Sequence, residues 1–340
     1  MRTRHVRVSG LSTHVWLPDG VPHAVLVART PYGAAQHAAE AAGWTAHGIA
    51  LVVQDVRGRH GSPGDFVPYR EHLLDDGPEL LAWVRTWADA PVVLLGTSYG
   101  AHAAVATATV SLPDAVAVAV PALGLGETAR TRGRVLQLAS RLGWWLTHGV
   151  RRPWSDVVEA RRHDAERAAA VSRLTCPLLA IGGTDDFFAH DTLDLWSCWG
   201  GPARLDLGPW DHSLHGARRA RRILSWLESV LAGAPHDGAT VTDRSGHETT
   251  GPPPRGTVRL ATDDEHTPWC ASLTVRTPDG SRREVAHGAA FGDLITLGPV
   301  VLTPDERVSA RLSVRSDDFP RYARSRRPHG PVPDHHLEIA

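Results

Sequence analysis

The 340 residues, 42% of them hydrophobic, suffice to bury a full core and to build one large domain with a smaller one beside it. A formal charge of -1 leaves no basic face for nucleic acid or an anionic membrane, and no apolar run is long enough to span a bilayer. Three scattered cysteines, Cys176, Cys198 and Cys270, make neither a disulfide framework nor a thiolate zinc site. All 36 basic residues are arginine, which reads as codon bias in a GC-rich genome and carries no function. The opening Met1-Arg-Thr-Arg-His enters strand-like alternation with no signal-peptide stretch, so a reducing cytoplasm is the expected location.

Short apolar strands are expected at Val6-Val8, Val15-Leu17, Ala24-Ala28, Ile49-Gln54, Val92-Leu95, Val116-Val120, Leu178-Gly182 and Leu205-Gly208. Between them, apolar residues at three- and four-residue spacing predict helices at Ala34-His47, Glu71-Trp87, Tyr99-Ser111, Thr192-Trp199 and Arg218-Leu231. This rhythm is that of a mostly parallel α/β sheet with helices on both faces. Residues 126–172, rich in Arg, Ala and Trp and without a strand, read as a helical lid insertion. After Leu231 the texture breaks at Ala234-Pro-His-Asp-Gly238 and again at Gly251-Pro-Pro-Pro-Arg-Gly256. Beyond lie β-rich pieces at Thr257-Ala261, Ala271-Arg276 and Arg307-Val314, with turn signals such as Pro278-Asp-Gly280, which suggest a small β-sandwich. The expected division is a core of residues 1–125 and 173–235, a lid of 126–172 and a sandwich of 236–340.

Val93-Leu-Leu-Gly96-Thr-Ser98-Tyr-Gly100 is a buried strand running into a Gly-x-Ser-x-Gly turn, the arrangement that exposes a nucleophilic serine between strand and helix. Small flanking residues are needed because the serine is strained. A serine hydroxyl is a weak nucleophile and needs a histidine base and an orienting carboxylate, which follow in the order Ser, acid, His. Two strand ends supply candidates in that order. The first is Leu178 to Phe187, which ends in Asp185 and Asp186; the second is Leu205 to Ser213, which carries His212. His215 is a weaker base, and His102 sits on the helix after the serine, expected to point away. The oxyanion of acyl transfer needs donors already aimed at it: one is the Tyr99 backbone N–H, and a candidate for the second, from the loop after Ala24-Ala28, is the Tyr32 hydroxyl held by the preceding Pro31. Taken alone, Tyr32 equally suits a half-buried core position.

These residues carry a family resemblance. Arg29-Thr-Pro-Tyr32, Val53-Gln-Asp55-Val-Arg57-Gly58 through Phe66, Asp76-Gly77 with Trp83, Gly96 to Gly100 and Gly208-Pro-Trp-Asp-His212 resemble the cocaine esterase and X-prolyl dipeptidyl peptidase family of serine hydrolases. The similarity runs in order over most of residues 24–215. Ser316-Asp-Asp-Phe319-Pro320-Arg321 is similar to a stretch of the family's carboxy-terminal jelly roll. The resemblance implies an α/β-hydrolase sheet with a short helical lid and a truncated jelly-roll sandwich. It implies Ser98 as nucleophile, His212 as base, Asp185 as acid, and Tyr32 with Tyr99 as the oxyanion hole, Asp186 standing where the family usually has glycine. Asp55 and Arg57 are expected to pair and hold a loop. Departures are Ala101 in place of a second glycine, a shorter lid and a shorter jelly roll, so the family's substrates are not carried over. The pocket is expected to be lined by Trp144, Trp145 and Trp154, with Phe187 and Trp210 beside the acid and base; the tryptophans equally suit plain packing of the lid.

The expected function is hydrolysis of an ester or amide through an acyl-enzyme on Ser98. Alternatives are acyl transfer, cyclisation or bond formation at the same site, and a non-catalytic binding module on the fold. No cofactor or metal is expected: His212-x-x-His215 has no third ligand at a recognisable spacing, Gly124-x-Gly126 lacks a third glycine, and no lysine is present to hold phosphate. The expected partner is a small-molecule substrate, with self-association left open.

Overall fold

The structure, a computed structural model, describes residues 1–148, 151–234, 237–319, 321–323 and 331–340. Strands β1 (Arg2–Val8) and β2 (Leu11–Leu17) form a hairpin whose two-residue turn, Ser9-Gly10, has positive φ at both positions. There follow β3 (Ala24–Thr30), α1 (Ala38–Ala46), β4 (Ile49–Asp55), α2 (Asp76–Arg85), β5 (Val92–Thr97), α3 (Tyr99–Val110) and β6 (Ala115–Ala119). Four short helices come next: α4 (Leu125–Ala129), α5 (Ala139–Thr147), α6 (Ser155–Glu159) and α7 (Asp164–Val171). The chain then returns through β7 (Leu178–Gly183), α8 (Ala189–Cys198), β8 (Ala203–Gly208), α9 (Arg219–Leu231), β9 (Gly238–Thr242) and β10 (Glu248–Thr250).

All ten strands form one sheet in the order β1-β2-β4-β3-β5-β6-β7-β8-β9-β10, parallel from β4 to β9 and antiparallel at both ends. The inner strands are mostly apolar because helices cover both faces. Leu80, Val84, Ala104 and Leu193 from α2, α3 and α8 pack on one face; Ala41, Trp44, Ile223 and Trp226 from α1 and α9 pack on the other. Each fully buried Val or Leu stabilises this arrangement by about 1.5–3 kcal/mol relative to exposure. The carboxyl ends of β3, β5, β7 and β8 lie at one edge of the sheet, where such folds hold their sites.

The carboxy-terminal part is a β-sandwich of two three-stranded antiparallel sheets. One contains β11 (Arg255–Leu260), β14 (Leu294–Pro299) and β16 (His335–Ile339); the other β12 (Pro268–Arg276), β13 (Arg282–Phe291) and β15 (Arg311–Arg315). Between them sit Val258, Leu273, Val275, Ile295 and Leu297. The sandwich also holds the lid: Phe291 N–H donates to Gly133 O at 3.0 Å, Leu138 N–H to Arg321 O at 2.9 Å, and Ala323 N–H to Leu136 O at 2.9 Å.

Several expectations shift. The sandwich does not start at 236: residues 238–250 extend the main sheet, β9 pairing in parallel with β8, so the break falls at the proline-rich loop 251–254. Pro235, His236 and the Pro320 of the jelly-roll-like stretch lie outside the described residues. Residues 71–87 divide into a short 3-10 turn and α2, because Pro78 is tolerated only in a first turn and its ring excludes helix through Leu74. The strand expected from Arg307 starts only at Arg311. Before it comes α10 (Pro304–Ser309), opened by a capping box in which Thr303 Oγ1 accepts from Glu306 N–H and Glu306 Oε2 accepts from Thr303 N–H. Among the described residues no helix is long and apolar enough to cross a membrane.

Candidate active site

Ser98 stands alone between β5 and α3 with φ 55° and ψ -119°, a conformation that costs a non-glycine residue about 1–3 kcal/mol. Backbone bonds hold it there: its N–H donates to Ala119 O at 3.0 Å, and its carbonyl accepts from Ala101 and Ala122. Gly96 allows the turn, since a Cβ on it would lie 2.2 Å from Gly100 O. Gly100 is less constrained, its nearest neighbour being Arg29 O at 3.4 Å.

His212, in the loop after β8, directs Nε2 to Ser98 Oγ at 3.0 Å and Nδ1 to Asp186 Oδ1 at 2.8 Å. A carboxylate only accepts, so Nδ1 carries the hydrogen and Nε2 offers its lone pair to the serine hydroxyl. Asp186 is the partner and Asp185 is not. The two side chains of the loop after β7 point in opposite directions: Asp186 is buried, whereas Asp185 is exposed and pairs with Arg244 from the β9–β10 turn. Burial pushes the Asp186 carboxyl above its usual range, and the His212 contact offsets part of this. Phe187 stacks on the His212 ring at 4.5 Å and fixes its plane.

Tyr99 follows Ser98 directly in the chain, and Tyr32 lines the same cavity as Ser98. Tyr99 N–H is the first of α3 and has no acceptor within the helix. The Tyr32 hydroxyl accepts from the Trp144 indole N–H at 3.0 Å. Burial, then the nearby Tyr69, raises the Tyr32 phenol above its ordinary value despite this bond, so it stays protonated and able to donate. The Tyr99 ring is turned away into the core, where its hydroxyl donates to Glu71 Oε1 at 2.5 Å and accepts from Tyr69 N–H at 2.9 Å. His102 also points away from Ser98, with Nδ1 on Leu123 O at 2.9 Å and Nε2 3.1 Å from Glu71.

Residues 9–149 match the family model of the X-Pro dipeptidyl-peptidase (S15 family). The resemblance read from the motifs is thereby borne out over the part of the chain that holds Tyr32, Ser98 and Tyr99. The fold is similar to that of two crystal structures of a CocE/NonD family hydrolase from Staphylococcus aureus, with TM-scores of 0.68 and 0.67 at 13% and 12% identity. Each similarity covers 99% of this chain and 90% of the other. At that identity the likeness is one of fold, that of an α/β-hydrolase with a carboxy-terminal β-sandwich. No curated protein matches the chain in sequence.

Relative to the S15 motifs, one loop is wired differently from expectation. Arg57 pairs with Asp76 and not with Asp55, and Arg29 reaches the same carboxylate at 3.2 Å. Asp55 instead accepts from the backbone N–H groups of Ala34 at 2.6 Å and Gly61 at 3.3 Å, tying the Tyr32 loop to β4.

The S15-like elbow opens into a cavity of about 430 Å³ lined by Tyr32, Trp144, His148, His212 and, on its polar side, Glu40 and Arg219. Burial alone would raise the Glu40 carboxyl; hydrogen bonding to His37, the Arg219 charge and the Trp44 indole hold it at about 2. Of the expected pocket residues, Trp144 lines this cavity and Phe187 flanks it. Trp145 and Trp154 pack against each other inside the lid, and Trp210 is buried under Arg222; none of the three lines it. A larger cavity, about 1000 Å³, lies behind α3 and includes neither Ser98 nor His212. Sequence reading missed His148, Glu40 and Arg219, which sit far apart in the chain and in no motif.

Proposed function

We propose that the chain is a serine hydrolase that cleaves an ester or amide of a small molecule through an acyl-enzyme on Ser98. The observation that carries this reading is the continuous contact line from Ser98 Oγ through His212 to the Asp186 carboxylate, at 3.0 and 2.8 Å. As Ser98 Oγ bonds to the substrate carbonyl carbon, His212 Nε2 takes its proton and Asp186 stabilises the resulting imidazolium. The oxyanion is received by Tyr99 N–H and Tyr32 O–H. When the adduct collapses, the bond to the leaving group breaks and that group takes the proton from His212. Water then repeats the sequence on the acyl-enzyme, releasing the acid and restoring the serine. Base catalysis of this kind is worth about 10²–10⁴-fold and each oxyanion donor about 10²–10³-fold.

Hydrolysis fits better than acyl transfer because the His212 side chain is 30% exposed and the cavity has a polar wall of Glu40 and Arg219, both of which admit water. Asp186 takes the acid's role in this reading, and Asp185 has none. The test is covalent labelling with an alkyl fluorophosphonate followed by peptide mass spectrometry. The label is expected on Ser98, and Ser98→Ala should take none and lose esterase activity. A folded wild-type protein that stays unlabelled would sink the reading.

A further inference from the structure

The lid helix α5 contributes one side chain, Trp144, whose polar atom reaches the reacting centre. Three other indoles donate to backbone carbonyls, Trp145 to Arg152 O at 3.1 Å, Trp196 to Ala203 O at 2.9 Å and Trp199 to Cys176 O at 2.8 Å, and Trp44 donates to the Glu40 carboxylate at 3.2 Å. Trp144 donates instead to the Tyr32 hydroxyl, at 3.0 Å. A phenol has one hydrogen on a rotor and two lone pairs, while an indole N–H only donates. With Trp144 on one lone pair, the phenolic hydrogen is excluded from that direction and is left to face the cavity that Tyr32 and Ser98 both line.

We propose that Trp144 is a positioning residue: carried in by the lid, it sets the Tyr32 hydroxyl so that its hydrogen already faces the position of the oxyanion at Ser98. This rests on the acyl-enzyme reading above. The indole is itself held. It stacks on the Tyr99 ring at 5.6 Å with planes 6° apart, and the Arg141 guanidinium lies 4.4 Å from its centroid. Arg141 is fixed by Tyr69 Oη and Thr128 Oγ1, both at 2.7 Å, and Tyr99 by Glu71. A line of contacts thus runs from buried Glu71 through Tyr99 and Trp144 to Tyr32. The outer side of α5 carries Leu142 and Leu146, 41% and 70% exposed, so the seat of the helix is on its inner, Trp144-bearing side. Seating the lid and aligning the oxyanion donor are then one event.

Trp144→Phe keeps a ring for the stack and removes the N–H. With p-nitrophenyl acetate as probe, kcat is expected to fall about 5- to 10-fold with KM within about 2-fold, the size of one lost neutral hydrogen bond. In a Tyr32→Phe background the same change should cost nothing further, because its target is gone. A readout independent of turnover is the ¹³Cζ resonance of labelled tyrosine. The signal missing in Tyr32→Phe should move in Trp144→Phe, while that of Tyr322, in the sandwich, should not. Unchanged kcat, additive losses in the double variant or an unmoved Tyr32 signal would each overturn the proposal. If Trp144→Phe does not fold, 3-benzothienylalanine at position 144, which has sulfur in place of N–H in the same shape, serves for both measurements. Should the wild type neither turn over ester nor take the fluorophosphonate, the acyl-enzyme reading fails, and the resonance still decides whether Trp144 holds the hydroxyl.

Discussion

Asp185 and Asp186 are chemically identical neighbours whose surroundings separate them. The Asp186 carboxylate is buried against His212, so replacing it leaves the imidazole free to take the wrong tautomer and its positive form without a counter-charge. Asp186→Asn should lower kcat/KM by about 10³-fold or more, whereas Asp185→Asn, which removes only a partly exposed pair with Arg244, should stay within about 2-fold. Steady-state esterase assays of the two variants check this, and equal losses would return the acid's role to question. The glycines of the elbow separate in the same way. A Cβ at Gly96 meets the Gly100 carbonyl at 2.2 Å, so Gly96→Ala must displace the backbone of the nucleophile turn and should abolish labelling of Ser98. At Gly100 the nearest atom is 3.4 Å away, inside a helix, where alanine gains up to about 1 kcal/mol over glycine. Gly100→Ala should therefore keep the label and match or exceed the wild type in urea melts.

Secondary-structure elements are tied together near the site by Glu40. From α1 its carboxylate accepts from Arg219 of α9 at 2.7 Å, and Arg219 also donates to Thr97 of β5 at 2.8 Å. The folded carboxyl sits at about 2, below its ordinary 4.5, so the folded state binds this proton less readily than the unfolded state. Its stabilisation is complete above 4.5 and is lost as pH falls towards 2. Glu40→Gln should thus be less stable than wild type by urea denaturation at neutral pH, and the gap should narrow between pH 4.5 and 2. A gap that does not change with pH would show that the pair contributes no linkage. Helix α10 carries another lesson at this scale. Its start, Thr303-Pro-Asp-Glu306, is a capping box readable in the sequence, although a β-rich piece was expected from Arg307.

Across the whole molecule, what was legible follows from burial. Strands β3 to β7 are covered on both faces, so the greater part of each appears as an apolar run that leaves little choice of element. Tyr32, Ser98 and Tyr99 were readable because each sits at the end of such a run, and His212 because it follows the end of β8, where the sheet brings these strand ends to one edge. The choice between Asp185 and Asp186 was not, because alternate residues of a loop face opposite ways and the decisive partner, Arg244, lies 59 positions away. Nor was the reach of the sheet, since β9 is short and half-buried and β10 short and exposed, and only the pairing of β9 with β8 and of β10 with β9 identifies them. That pairing makes the catalytic core impossible to sever where the composition changes. A chain ending at residue 235 would bare the backbone N–H and C=O groups of β8, just before the loop that carries His212, as a template for other chains. Light scattering should detect growing species in that truncation and not in one ending at residue 251, and equal behaviour of the two would remove this role from β9. A protein engineer seeking the smallest working unit therefore has no cut available at the first loop, and one at the second would release the hydrogen bonds by which the sandwich holds the lid over Ser98.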